Sequence, residues 1–289
     1  MLTPEELRQI RRLHVQLGRR VDSPFTGEYR SAFRGRGMEF EEVRPYVPGD
    51  DVRHIDWNVT ARANAPFIKE FREERELTLM LALDVSASML FGAGGADGRT
   101  DKRLQVARLA GALAFAAIRN NDRVGLMSFS NAVERFLPPR KSRGHAWAVI
   151  RAAFEDVGQG ARTDLAGALE RLGRSLKRRS VVCVLSDFIT PDDRYLRELG
   201  ALARRHTVNC FLLSDPLEEA LPPVGLIELE DAETGARRLV DASAVRPRVA
   251  IAERILALRR AGARASIVHT NIDPILTLHR HFQRMERRR

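Results

Sequence analysis

The chain has 289 residues, 44% hydrophobic and 30% charged, a balance that supports one large or two ordinary globular cores and excludes a disordered tail. No run approaches the ~20 apolar residues a membrane-spanning helix needs, and Met1-Leu2-Thr3-Pro4-Glu5-Glu6-Leu7 lacks the charged and apolar halves of a secretory leader, so a cytoplasmic protein without a membrane span is expected. The formal charge of +10 would attract nucleic acid, anionic lipid or acidic protein alike; few aromatics interleave with the arginines and no nucleic-acid-binding signature occurs, so dedicated nucleic-acid binding is not expected.

Taken in order, Thr3-Pro4-Glu5-Glu6 reads as a helix start, with Leu7, Ile10, Leu13 and Leu17 on one face. Gly18 to Tyr29 is turn-rich. Gly35 to Arg62 lacks a helical period and reads as short strands around a Pro48-Gly49 turn. There Asp50 and Asp51 are expected to bond local backbone amides, ahead of a partly buried Ile55 and Trp57. The other reading, a metal or acid-base cluster of Asp50, Asp51, His54 and Asp56, has no second histidine at ligand spacing. Residues 1–76 are therefore read as an N-terminal extension and 77–289 as the main domain.

Leu77 to Met89 opens that domain as a buried strand that delivers Asp84, Ser86 and Ser88 into a loop. One carboxylate and two hydroxyls at alternate positions suit a small hard cation, Mg²⁺ or Mn²⁺, and not zinc. An alternative has Asp84 capping a following helix while the serines satisfy loop backbone. Phe91 to Gly98 has glycines but no phosphate-loop ending, and reads as a flexible loop beside the site. Beyond it come helix 104–118, strand 123–129 with a short partner at 133–137, and helix 145–154. Gly160 to Leu165 then places Thr163 and Asp164 at the start of helix 165–176, and strand 181–185 runs into Asp187. Helix 193–204, strand 208–213, a β-hairpin within 228–240 inserted near 225–241, helix 249–260, strand 266–270 and helix 274–285 complete the chain. Strand and helix in turn predict an α/β fold, a doubly wound and mostly parallel sheet flanked by helices, whose ligands gather at the carboxyl ends of the strands. Cys183 and Cys210 fall in apolar runs and are expected to be buried, reduced thiols.

Asp84-Val85-Ser86-Ala87-Ser88, then Thr163, then Asp187 resembles the metal-ion-dependent adhesion site of von Willebrand factor A domains. The resemblance implies that Asp84, Ser86, Ser88, Thr163 and Asp187 hold Mg²⁺ directly or through water, leaving a position for an acidic residue of a protein partner. Met89, Phe91, Arg162 and Phe188 would form the rim; Arg162 either points to solvent or meets the partner's acid. A second block, with Arg44-Pro45-Tyr46, Pro48-Gly49-Asp50-Asp51, Ile55-Asp56-Trp57 and Phe71-Arg72-Glu73-Glu74-Arg75, and later Asp215-Pro216-Leu217-Glu218 and Asp231-Ala232-Glu233-Thr234-Gly235, resembles the bacterial "domain of unknown function 58" family. Its members are von Willebrand A-like and often encoded beside MoxR-type AAA+ ATPases, which implies a metal-dependent protein-interaction module acting with such an ATPase in assembling or maturing another complex. The alternative is a metal-dependent hydrolase of phosphate esters at the same cation site. It needs a base to activate water; Asp164 is the candidate, although at a helix start it would rather cap the helix.

Overall fold

The computed structural model describes Tyr29 and residues 39–63, 65–72, 77–92, 101–155, 162–219, 224–231, 234–242 and 251–286. The described residues from 39 to 72 belong to one compact unit, and Tyr29 with those from Leu77 onward belongs to a second. The helix expected from Thr3 and the glycine loop of 93–98 lie outside the described residues.

In the smaller unit, strand β1 (Glu39–Pro45) pairs antiparallel with β2 (Phe67–Arg72). The expected turn is present, with Gly49 at φ 113°, a value that favours glycine. Asp50 accepts the Val47 amide at 3.0 Å and a two-pronged bond from Arg44 at 2.7 and 2.9 Å, and the Arg44 bond leads in holding its carboxyl down at about 2. Asp51 accepts the Arg53 amide at 3.0 Å. One expectation fails: Trp57–Ala63 is a helix, α1, not strand. Asp56 starts it by accepting the amides of Asn58 and Val59 at 3.0 and 3.2 Å. No residue of α1 is buried, so there is no apolar period for the sequence to display. Ile55 is half-buried and bridges to Ile68, but Trp57 is 70% exposed and not partly buried as expected.

The larger unit is built on a six-stranded sheet of β3 (Thr78–Asp84), β4 (Arg123–Phe129), β5 (Val133–Arg140), β6 (Val181–Ser186), β7 (Thr207–Ser214) and β10 (Arg264–His269). Their order is β10-β7-β6-β3-β4-β5, with only the edge strand β5 antiparallel. Pro138 and Pro139 are tolerated in β5 because an edge strand can leave amide positions unpaired. The hairpin of β8 (Leu226–Glu230) and β9 (Arg237–Asp241) forms a separate two-stranded sheet.

Residues 79–83 and 181–185 are buried without interruption, as a sheet covered on both faces requires. Helices α4 (Leu165–Ser175), α5 (Arg194–Arg205) and α6 (Ile251–Arg260) share a core with Met80, Ala82, Val182, Val184 and Cys210. Helix α2 (Lys102–Arg119) packs against both α3 (Arg143–Glu155) and α7 (Pro274–Glu286); Tyr29, fully buried, stands edge-on to Phe282 of α7 with ring centroids 6.1 Å apart. Because β4 lies on one side of β3 and β6 on the other, the connections leaving β3 and β6 run in opposite directions. The crevice this opens lies at their carboxyl ends. Among the described residues no helix is long and apolar enough to cross a membrane. The doubly wound, mostly parallel α/β architecture expected from the sequence is thus the one observed.

Helix α7 packs a buried histidine, His281, against the sheet. His281 Nε2 lies 3.1 Å from Asn209 Oδ1, and Nδ1 lies 2.7 Å from Ser266 Oγ. Burial, followed by Arg264, Arg284 and Arg259, pushes its pKa down to about 3. The folded pKa lies below the unfolded value of 6.5, so the unfolded chain binds the extra proton. Its stabilising contribution is complete above pH 6.5 and is lost as pH falls towards 3, at up to ~1.4 kcal/mol per pH unit. Urea titrations between pH 7 and 5 should show stability falling more steeply in the wild type than in His281→Leu; equal slopes would refute this assignment.

Candidate metal centre

Asp84 ends β3, paired with Phe129 of β4, while its predecessor Leu83 pairs with Leu185 of β6. The Val85 amide bonds Phe129 O at 2.9 Å and carries the strand one residue further. The chain then tightens into a 3-10 turn over Ala87–Leu90. Asp84 is fully buried. Its Oδ1 accepts both the Ser86 amide, at 3.0 Å, and Ser86 Oγ, at 2.6 Å; its Oδ2 accepts Ser186 Oγ at 2.6 Å. Ser86 Oγ is also 3.3 Å from Ser88 Oγ. A hydroxyl that gives its proton to Asp84 keeps its lone pairs for a cation. Burial first, and then the like charge of Asp187, raise the Asp84 carboxyl to about 6 against the opposing bonds from Ser186 and Ser86.

Asp187 follows β6 and is buried. Its Oδ1 accepts the Ile189 amide at 3.0 Å, and its Oδ2 meets Lys102 Nζ at 3.0 Å. Arg254 of α6 donates to the Asp187 carbonyl at 2.8 Å. Lys102, the first residue of α2, is fully buried, and its ammonium also bonds Glu218 Oε1. Burial opposes its charge, but Asp187 and Glu218 outweigh that and raise its pKa. Thr163 is positioned through its neighbour: the Asp164 amide bonds Ser130 O, beyond the end of β4, at 2.8 Å. The Thr163 hydroxyl is buried and has no hydrogen-bond partner. Asp164 is exposed and caps α4 through the Gly167 amide at 3.0 Å.

The expected set therefore ends on neighbouring strands or in loops pinned to them, with Asp84, Ser86, Ser88 and Asp187 linked by bonds or charge. The rim needs correction. Met89 is fully buried and Phe188 is 98% buried, so both lie beneath the surface. Phe188 has φ 53°, which turns its side chain towards Tyr195, 6.1 Å away between ring centroids, and leaves Ile189 exposed. The exposed side chains here are Leu90, Phe91 and Ile189, together with Arg162. Sequence reading missed Lys102, Ser186 and Arg254. Ser186 is adjacent to Asp187, whereas Lys102 falls just before the helix expected over 104–118. Glu218 belongs to the Asp215-Pro216-Leu217-Glu218 block, whose resemblance assigns it no site role.

Among the described residues no group of three His, Cys, Asp or Glu side chains is arranged to hold a metal, so coordination would have to draw on hydroxyls. The residues present fit a hard divalent cation on two counts. The Thr163 oxygen is buried without a partner, and Asp84, Asp187 and Glu218 set three carboxylates against one ammonium, an excess of two negative charges.

A doubly wound sheet with this carboxylate and hydroxyl cluster at the ends of its central strands defines a von Willebrand A-like α/β protein. More particularly, the chain belongs to the family described as "Protein of unknown function DUF58", whose model matches residues 42–261. It is 34% identical over 237 residues to uncharacterized proteins of Mycobacterium bovis and Mycobacterium tuberculosis, covering 81% of this chain and 73% of each relative. Among solved structures it is similar to an aerotolerance-related membrane protein from Bacteroides fragilis, with TM-score 0.50 and 18% identity over 74% of this chain and 100% of that one. It is also similar to the VWA domain of SpRpn10, with TM-score 0.41 and 11% identity over 71% of this chain and 94% of that one.

Ser186 is the keystone between the two strands, donating to Asp84 and accepting the Phe188 amide at 2.9 Å. Ser186→Ala leaves that buried amide unpaired and should cost about 1–3 kcal/mol in chemical denaturation. A loss below ~0.5 kcal/mol would show that the contact is dispensable.

Proposed function

We propose that this protein is a cytoplasmic, metal-dependent interaction module that holds an acidic residue of a protein partner through a shared Mg²⁺, with Mn²⁺ as the alternative ion. It would act with a MoxR-type AAA+ ATPase in the assembly or maturation of another protein complex. The observation that carries this reading is the chain from buried Asp84 through the Ser86 hydroxyl to that of Ser88, supported by the buried, partnerless Thr163 oxygen.

When bound, the ion would supply a positive charge with a position open to a partner's carboxylate. Ser86, Ser88 and Thr163 would hold it through neutral oxygens, and Asp84 would add one formal charge. A hydroxyl-rich set of this kind leaves the ion attractive to an incoming acid. Leu90, Phe91 and Ile189 supply exposed apolar surface flanking the site, and the formal charge of +10 favours the approach of an acidic partner. Asp164, the one base considered for hydrolysis, is occupied in capping α4. The cytoplasmic placement draws on Cys183 and Cys210, both free and buried, with thiols that burial pushes up and keeps protonated.

The test combines calorimetry with capture of the purified MoxR-type ATPase. Asp84→Ala should lower Mg²⁺ affinity by more than about 100-fold while melting as a folded protein. The ATPase complex should form in Mg²⁺ and dissociate on chelation. Capture indifferent to chelator, together with turnover of phosphate esters that is lost in both Ser86→Ala and Thr163→Ala, would replace this reading with the hydrolase.

A further inference from the structure

We propose that Lys102 is a built-in counter-ion of the metal centre: its tethered ammonium offsets the acidic cluster, holds the surrounding loops together without a metal, and sets the affinity for the divalent ion. This rests on the metal-binding reading above.

The geometry is unusual for a lysine. Lys102 is fully buried at the start of α2, with Asp187 Oδ2 at 3.0 Å and Glu218 on its other side. An ammonium removed from water is strongly disfavoured unless carboxylates surround it. Phe91 closes the approach: its ring centroid lies 5.7 Å from Nζ, and its carbonyl accepts the Lys102 amide at 3.1 Å.

The partners of the ammonium are themselves anchored. Glu218 Oε2 accepts the Asp215 amide at 3.0 Å, and Asp215 accepts the Leu217 amide at 2.8 Å and Thr270 Oγ1 at 2.5 Å. One turn along α2, Gln105 Nε2 donates to the carbonyls of His269 and Ile272 at 3.0 and 2.7 Å. The first turn of α2 thus ties together the loops that follow β6, β7 and β10.

The same ammonium bears on the cation through charge. With Lys102 in place the three carboxylates keep an excess of two negative charges. Without Lys102 the excess would be three, and with Glu218 neutral it would be one. A counter-ion therefore predicts an order of Mg²⁺ affinity, weakest in Glu218→Gln, intermediate in the wild type and tightest in Lys102→Met. A lysine that only positions Asp187 predicts the opposite for Lys102→Met, because losing it would disorder the site.

The experiment is Mg²⁺ calorimetry and thermal melting, with and without Mg²⁺, on the full chain and both variants. Lys102→Met should melt about 5 °C or more below the wild type in metal-free buffer, bind Mg²⁺ about tenfold or more tightly, and recover more of its melting temperature on adding the ion than the wild type gains. Glu218→Gln, which leaves Lys102 a neutral acceptor, should bind about tenfold more weakly, and should also melt below the wild type without metal because one charge of the buried pair is gone. Lys102→Met binding no tighter than the wild type, or Glu218→Gln binding equally well, overturns the proposal while leaving the metal site standing. If Lys102→Met does not fold, the Glu218→Gln affinity decides alone. A wild type that neither binds nor is stabilised by Mg²⁺ overturns both this proposal and the metal-binding reading.

Discussion

A lysine ammonium shut away from water is strongly disfavoured unless its charge is answered at contact distance. Lys102 meets that condition between Asp187 and Glu218, and the arrangement of the site follows from it. The start of α2, the end of β6 and the turn after β7 must converge on one nitrogen. Their convergence sets Asp187 near Asp84, whose carboxyl is raised by burial first and by the like charge of Asp187 second. A salt bridge of this kind adds little net stability relative to a well-packed apolar replacement, but it demands a particular juxtaposition of three chain segments. In this protein those segments carry the candidate metal centre.

The sheet determines where such a convergence can occur. Parallel strands covered on both faces expose only their ends, and the divergent connections from β3 and β6 open a gap at their carboxyl edge. Ser186 spans that gap by donating to Asp84 Oδ2. Backbone pairing supplies the coarse position of each carboxylate, while hydroxyl hydrogen bonds hold their oxygens.

Much of this organisation was legible in the sequence because parallel strands buried on both faces appear as unbroken apolar runs. Arg123–Phe129 matches its expected bounds, and Val181–Ser186 differs by one residue. The Asp84, Ser86 and Ser88 spacing was visible for the same reason. What could not be read were departures from the period of the preceding strand. The 3-10 turn after Ser86 changes the repeat from two to three, turning Met89 inward and leaving Leu90 and Phe91 outward. The left-handed backbone at Phe188 does the same after β6, reversing which of Phe188 and Ile189 meets solvent. Helix α1 was hidden because it buries nothing, so its start rests on the Asp56 cap alone. Lys102 was hidden because Asp187 and Glu218 lie 85 and 116 residues away along the chain.

The charges of the molecule act on two length scales. Over its surface the chain carries a formal +10, a field that falls off over a Debye length of about 8 Å at physiological ionic strength and that favours acidic partners at a distance. Within the crevice the sign reverses: three carboxylates confront one ammonium in surroundings that screen them weakly. A uniformly acidic protein would hold a cation but repel an acidic partner, while a uniformly basic one would attract the partner without retaining the ion. Under the proposed function these requirements are met in different places, with the basic surface guiding the partner and the buried acids retaining the metal. Lys102, buried between Asp187 and Glu218, moderates the local excess of negative charge that, under the proposed function, a partner's own carboxylate would add to.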